Sequence, residues 1–82
     1  MTIKVVFYGG LSRVAHARSS SIEVKRETLS VGELRDILIA QTPELREQLE
    51  NVAYALGDEL VAPDRALHDG AELGLLPPVS GG

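Results

Sequence analysis

No cysteine occurs among the 82 residues. A disulfide framework, a thiolate metal site and a cysteine nucleophile are therefore excluded, and any sulfur chemistry must use sulfur supplied from outside the chain. Tryptophan is absent as well, and Phe7, Tyr8 and Tyr54 are the whole aromatic complement. Positive charge is in the minority: 8 Lys and Arg stand against 12 Asp and Glu, a formal net charge of -4. The basic residues are scattered singly apart from Lys25-Arg26, which argues against a nucleic-acid partner, because phosphate binding needs clustered cations. No apolar run approaches the ~20 residues of a membrane span. The opening Met1-Thr2-Ile3-Lys4 has no basic segment followed by a long apolar stretch, so the chain is expected to be soluble, cytoplasmic and free of membrane attachment.

What is present suits one small α+β domain. The hydrophobic fraction of 44% is enough for a single core at this length without metal or disulfide staples. Ile3, Val5 and Phe7 alternate with Lys4, Val6 and Tyr8, which predicts a strand whose odd positions face inward and which Gly9-Gly10 ends. Leu11 to Arg18 can hold a turn of helix, and Ser19-Ser20-Ser21 marks a loop or the start of a second strand, in which Ile22 and Val24 alternate with Glu23 and Lys25. Ser30 and Glu33 form a capping-box pair ahead of Val31, Leu34, Ile37 and Leu38, so a helix is predicted up to Thr42. Pro43 sits at the first turn of a second short helix, with Thr42 as N-cap, Leu45 and Leu49 inward, and Glu44, Glu47 and Glu50 as a solvated face. Strands then return: Val52 to Leu56, the turn Gly57-Asp58-Glu59, Leu60-Val61, the turns Pro63-Asp64 and Asp69-Gly70, and a last strand from Ala71 to Leu76. In that last strand Ala71, Leu73 and Leu75 share one face, and Glu72, Gly74 and Leu76 the other. A mixed sheet with a helix packed across one face fits this order; periodicity permits both a β-grasp and a ferredoxin-like split βαβ topology.

The sequence closes on Pro77-Pro78-Val79-Ser80-Gly81-Gly82. Two prolines have fixed φ and no N–H donor, so they end a sheet ladder and project the last four residues away from the body as a stiff stalk. Two glycines carry no Cβ, so the chain can thread a narrow channel and bring a C-terminal carboxylate to a nucleotide phosphate on a partner. The expected organisation is a domain over 1–78 and a flexible Gly-Gly tail over 79–82.

Three segments, Leu75 to Gly82, the opening Ile3-Lys4-Val5-Val6-Phe7-Tyr8, and Leu67-His68-Asp69-Gly70-Ala71-Glu72-Leu73, carry a resemblance to the small subunits of molybdopterin synthase, a family of ubiquitin-like sulfur carriers with the β-grasp fold. The likeness extends over nearly the full length. It departs at Leu11-Ser12-Arg13, where Leu-Arg-Glu is frequent in the family, and at Leu56-Gly57, where Val-Asn is frequent. The resemblance implies a non-catalytic subunit. An E1-like adenylyltransferase would join AMP to the Gly82 carboxylate, a sulfur donor would convert the acyl-adenylate to a thiocarboxylate, and the large subunit of molybdopterin synthase would receive the tail in a heterotetramer. AMP and the thiocarboxylate would be transient modifications, with no stably bound cofactor and no metal. Gly81 would serve as channel-fitting backbone, and Tyr8, Leu60 and Leu76, with Pro77, Pro78, Val79 and Ser80, as the partner-binding surface. Strand parity independently turns Tyr8 and Leu76 outward. Related outcomes of the same chemistry are sulfur transfer for thiamine, cysteine or tRNA thiolation, and protein modification through Gly82; a β-grasp interaction module with an inert tail is a different class.

Other candidate centres are weak. His16 and His68 have no Cys, second His or helical Glu at ligand spacing, and His68, before Asp69-Gly70, suits a turn. Gly9-Gly10 lacks the rest of a phosphate-binding fingerprint and reads as a turn or a close backbone contact. Ser12, His16 and Asp36 have no nucleophile-elbow context.

Overall fold

The computed structural model describes residues 1–78. Strand β1 (Thr2–Phe7) is followed by a short helix α1 (Leu11–Ala15) and by β2 (Ser19–Glu23). A two-residue strand β3 (Leu29–Ser30) leads into the main helix α2 (Val31–Gln41), then a single turn α3 (Leu45–Gln48). Strands β4 (Ala53–Leu56), β5 (Glu59–Val61), β6 (Ala66–Leu67) and β7 (Glu72–Leu76) complete the chain. The main sheet has the order β2-β1-β7-β4-β5, with β1 and β7 parallel at its centre and the remaining neighbours antiparallel. This is the β-grasp arrangement, with the last strand lying beside the first.

The core follows the predicted alternation. Ile3, Val5 and Phe7 of β1 and Leu73 and Leu75 of β7 are buried together with Val31, Leu34 and Leu38 of α2, so the helix covers the face to which the odd positions point. Leu45 and Leu49 close one side of the same cluster. Burying a leucine or valine side chain stabilises by roughly 1.5–3 kcal/mol relative to leaving it exposed, which is why a 2-residue periodicity on β1 and β7 and a helical one on α2 must meet.

The start of α2 is well determined. Ser30 Oγ accepts from the Glu33 N–H at 3.1 Å, and the Glu33 carboxylate accepts from the Ser30 N–H at 2.9 Å. The two preceding amide donors of the first turn are satisfied from elsewhere: Val31 donates to the Arg65 carbonyl at 3.0 Å and Gly32 to the Pro63 carbonyl at 2.8 Å. Together these satisfy all four N–H groups, from Ser30 to Glu33, that a helix N-terminus leaves orphaned. Replacing Ser30 by Ala is expected to cost ~1 kcal/mol, a fall in Tm of about 4–8 °C for a domain of this size, read by thermal denaturation.

Glu33 also pairs with Arg26. The Ser30 amide, then Arg26, hold its carboxyl below the ordinary value of 4.5. A carboxylate whose folded pKa is depressed stabilises fully above its unfolded pKa, and that contribution is lost as pH falls through the lowered folded value. The Tm deficit of Glu33→Gln is therefore expected to be constant at neutral pH and to shrink as pH falls below about 4.5; a deficit independent of pH down to 2 would remove the assignment.

Several local expectations are sharpened or corrected. Of the two readings of Ser19-Ser20-Ser21, the start of a strand holds: the three pair with Val6, Val5 and Lys4, because small polar residues suit an edge strand with one face in water. The pairing continues past β2, with the Met1 amino group donating to the Val24 carbonyl at 2.7 Å and the Val24 N–H to the Met1 carbonyl at 2.8 Å. Thr42 is the C-cap of α2 rather than the N-cap of α3; its N–H donates to Leu38, its carbonyl accepts from Leu45, and no side-chain cap bond precedes α3. Glu59 belongs to β5, paired with Leu56, so the hairpin turn is the two residues Gly57-Asp58. Ala71 precedes β7 rather than opening it. Strands β3 and β6 leave no mark in the sequence, since two residues carry no periodicity; they are held by the buried side chains of Leu29 and Leu67.

Candidate functional site

The outer face of the main sheet, opposite α2, changes character along its length. At one end the registered pair Lys4 and Glu72 forms an ion pair at 3.5 Å, with both side chains more than half exposed. Two positions further along, one cross-strand row runs Val6, Gly74, Ala55, Leu60, each residue registered with the next. Beyond it Ala53 is registered with Leu76, and Tyr8, just past the end of β1, donates its N–H to the Leu75 carbonyl at 3.1 Å. All of these side chains are apolar, aside from the Tyr8 hydroxyl. Among the described residues the exposed large hydrophobics are Tyr8, at 47%, and Leu60, at 72%, and both stand on this end of this face. An exposed apolar cluster of this kind is typical of an interaction surface.

The three predicted docking residues are thus brought together across four strands: Tyr8 at the end of β1, Leu76 at the end of β7, half-buried, and Leu60 on β5. Strand β7 ends at Leu76, and Pro77 and Pro78 come next, outside the ladder, as their missing N–H donors require. The root of the tail therefore leaves the sheet at the apolar end. Val79, Ser80, Gly81 and Gly82 lie outside the described residues.

Two glycines at this end make close contacts. The Cδ2–Cε2 edge of the Tyr8 ring lies over Gly74, and the Pro77 ring lies against Gly9. No local pattern marks Gly74, Gly9, Val6, Ala53 or Ala55 as a site residue. Parity on the last strand places Gly74 beside Leu76, but the register that brings Ala53, Ala55 and Val6 alongside is a tertiary property. Gly9 agrees with the close-contact reading of Gly9-Gly10, and Pro77 supplies the contact.

The weaker candidates have separate local roles. His16 adopts φ 60° as the C-cap of α1. The Ser12 hydroxyl donates to the Gly9 carbonyl at 3.1 Å, and Asp36 pairs with Arg35. The His68 carbonyl accepts from Ala71 in the turn before β7, while the Asp69 carboxylate accepts from the Thr2 N–H at 2.7 Å. Among the described residues no group of three or more His, Asp or Glu side chains is disposed to hold a metal ion, and no helix is long and apolar enough to cross a membrane.

A central parallel β1-β7 pair, a helix across the inner face and an apolar outer face beside the tail root define a β-grasp domain of the ubiquitin-like class. Known proteins agree with this and narrow it. The model of the ThiS family matches residues 5–82. The molybdopterin synthase sulfur carrier subunit of Chlamydomonas reinhardtii is 32% identical, with the alignment covering all of both chains. The crystal structure of SAMP1 from Haloferax volcanii superposes with a TM-score of 0.88 at 27% identity over the whole of both chains. A protein-protein complex of subunits 1 and 2 of molybdopterin-converting factor from Helicobacter pylori contains a chain 32% identical, again end to end, with a TM-score of 0.71. The chain belongs to the ThiS family.

Proposed function

We propose that the chain is the sulfur-carrier small subunit of a molybdopterin synthase and that its reacting group is the carboxylate of Gly82. The observation that carries this reading is the placement of the tail root at the apolar end of the outer sheet face, in a chain related end to end to a sulfur carrier subunit. A partner that docks on Tyr8, Leu60 and Leu76 meets the stalk Pro77-Pro78 at the same edge, so Val79, Ser80 and Gly81 serve as the span that carries Gly82 into the partner's channel. A carboxylate is a poor acyl electrophile. Attack of its oxygen on the α-phosphorus of ATP forms the acyl-adenylate and releases pyrophosphate, and hydrosulfide delivered by the sulfur donor then attacks the acyl carbon and displaces AMP, losing a proton to leave the thiocarboxylate. The catalytic side chains belong to the partners: an E1-like adenylyltransferase for activation, and the large subunit for transfer of sulfur to a pterin precursor. ATP consumption fits a cytoplasmic setting. The test is ATP–pyrophosphate exchange by the E1-like enzyme of the same cell: exchange that depends on this chain is expected, and exchange indifferent to it sinks the proposal.

A second reading keeps the activation and changes the acceptor. The likeness to SAMP1, described as small archaeal modifier protein 1, favours a ubiquitin-like modifier whose Gly82 is joined to lysines of target proteins. High-molecular-weight conjugates on a denaturing blot distinguish it from the carrier, which produces none.

A further inference from the structure

Gly74, in the middle of β7, faces the Tyr8 ring that follows β1, and Gly9, just past β1, faces the Pro77 ring that follows β7. A Cβ on Gly74 would stand 2.9 Å from Cε2 and 3.6 Å from Cδ2 of Tyr8. A Cβ on Gly9 would stand 3.0 Å from Cγ and 3.7 Å from Cδ of Pro77. The two contacts are neighbours, because Tyr8 and Gly9 are consecutive and the Tyr8 N–H is bonded to the Leu75 carbonyl between Gly74 and Pro77. Gly9, at φ +56°, also serves the turn into α1. Gly74 has no such use: it is in the middle of a central strand, where glycine weakens the sheet unless another group must come close.

We propose that Gly74 and Gly9 are positioning residues that join the docking aromatic and the root of the tail into one rigid unit. They fix the direction in which the chain leaves β7 relative to the surface that meets the partner. The inference rests on the carrier reading above. With its ring edge seated on Gly74, Tyr8 has less rotamer freedom to lose on docking. With Pro77 seated on Gly9, the stalk leaves from a set point. Gly82 is four residues beyond Pro78, so the direction set at the root limits the positions its carboxylate can reach, and reacting groups misplaced by about 1 Å can lose on the order of a hundredfold in rate.

The test uses the full-length chain with its E1-like enzyme. Gly74→Ala adds one methyl under the Tyr8 ring. Gly9→Asn adds a Cβ against Pro77 while keeping a residue that tolerates the left-handed conformation. Each is expected to lower kcat/KM for adenylation roughly ten- to a hundredfold in a folded chain. Gly74→Ala adds no further loss in a Tyr8→Ala background, and Pro77→Ala restores part of the rate lost by Gly9→Asn. In parallel, nuclear Overhauser contacts from the Tyr8 ring to Gly74 and from Pro77 to Gly9 are expected in the free wild-type protein. Their absence overturns the inference, as do variants processed at the wild-type rate or a Gly74→Ala loss that persists without the Tyr8 ring. A wild type that shows both contacts but is never adenylated overturns the carrier reading, and this role with it.

Discussion

A chain lacking Gly82 is expected to fold as the full-length chain does and to acquire no sulfur. The core ends at Leu75, which is fully buried, and β7 ends one residue later, at Leu76, so the deleted residue belongs neither to the core nor to the sheet. Its stability should therefore change by no more than the ~0.5 kcal/mol typical of surface changes. The proposed chemistry loses its placement completely: Gly81 becomes the terminal carboxylate, one residue or about 3.3 Å short of the reach the span provides. Effects of that size on reacting groups are orders of magnitude, and the expected result is no detectable acyl-adenylate and no sulfur-dependent mass gain. Denaturation curves and intact mass after incubation with ATP, donor and E1-like enzyme separate the two statements. Normal sulfur loading of the shortened chain would move the reacting group away from Gly82.

The second large effect belongs to Leu60. It is the most exposed of the apolar cluster, at 72%, and its backbone is held only at the outer edge of the sheet, opposite Ala55. Leu60→Glu therefore leaves the core untouched and should change stability by no more than ~0.5 kcal/mol. At a docking interface the same change removes an apolar anchor and buries a carboxylate without a partner. A loss of about 2 kcal/mol or more, some thirtyfold in Kd, is the scale of an interface hot spot. Calorimetric titration against the molybdopterin synthase large subunit of the same cell measures it. Unchanged affinity would show that the partner docks elsewhere.

The elements legible in the sequence are those in which one local pattern decides burial. Alternation at Ile3, Val5 and Phe7 and at Leu73 and Leu75 marks the two central strands. The Ser30 and Glu33 pair marks the start of α2 to the residue, because a capping box satisfies specific orphan donors. Which strands pair is not in such patterns. The parallel β1-β7 pairing that separates a β-grasp from a split βαβ sheet is settled by contacts between residues almost a whole chain apart. The short ladder between Leu29-Ser30 and Ala66-Leu67 depends in the same way on the 62–65 loop returning to the start of α2. At the site, parity turns Tyr8 and Leu76 to the outer face, where Tyr8 is exposed and Leu76 half-buried, whereas Gly74 and Gly9 acquire their role only when the Tyr8 ring and Pro77 arrive beside them.

Intact mass spectrometry of the protein isolated from its own cell tests the carrier chemistry most directly. A carrier shows a fraction of chains heavier by roughly 16 Da, the replacement of one oxygen by sulfur through acyl activation, and fragmentation places the gain on Gly82. A population with an unmodified C-terminus, unchanged after incubation with ATP, a sulfide donor and the cell's E1-like enzymes, contradicts it.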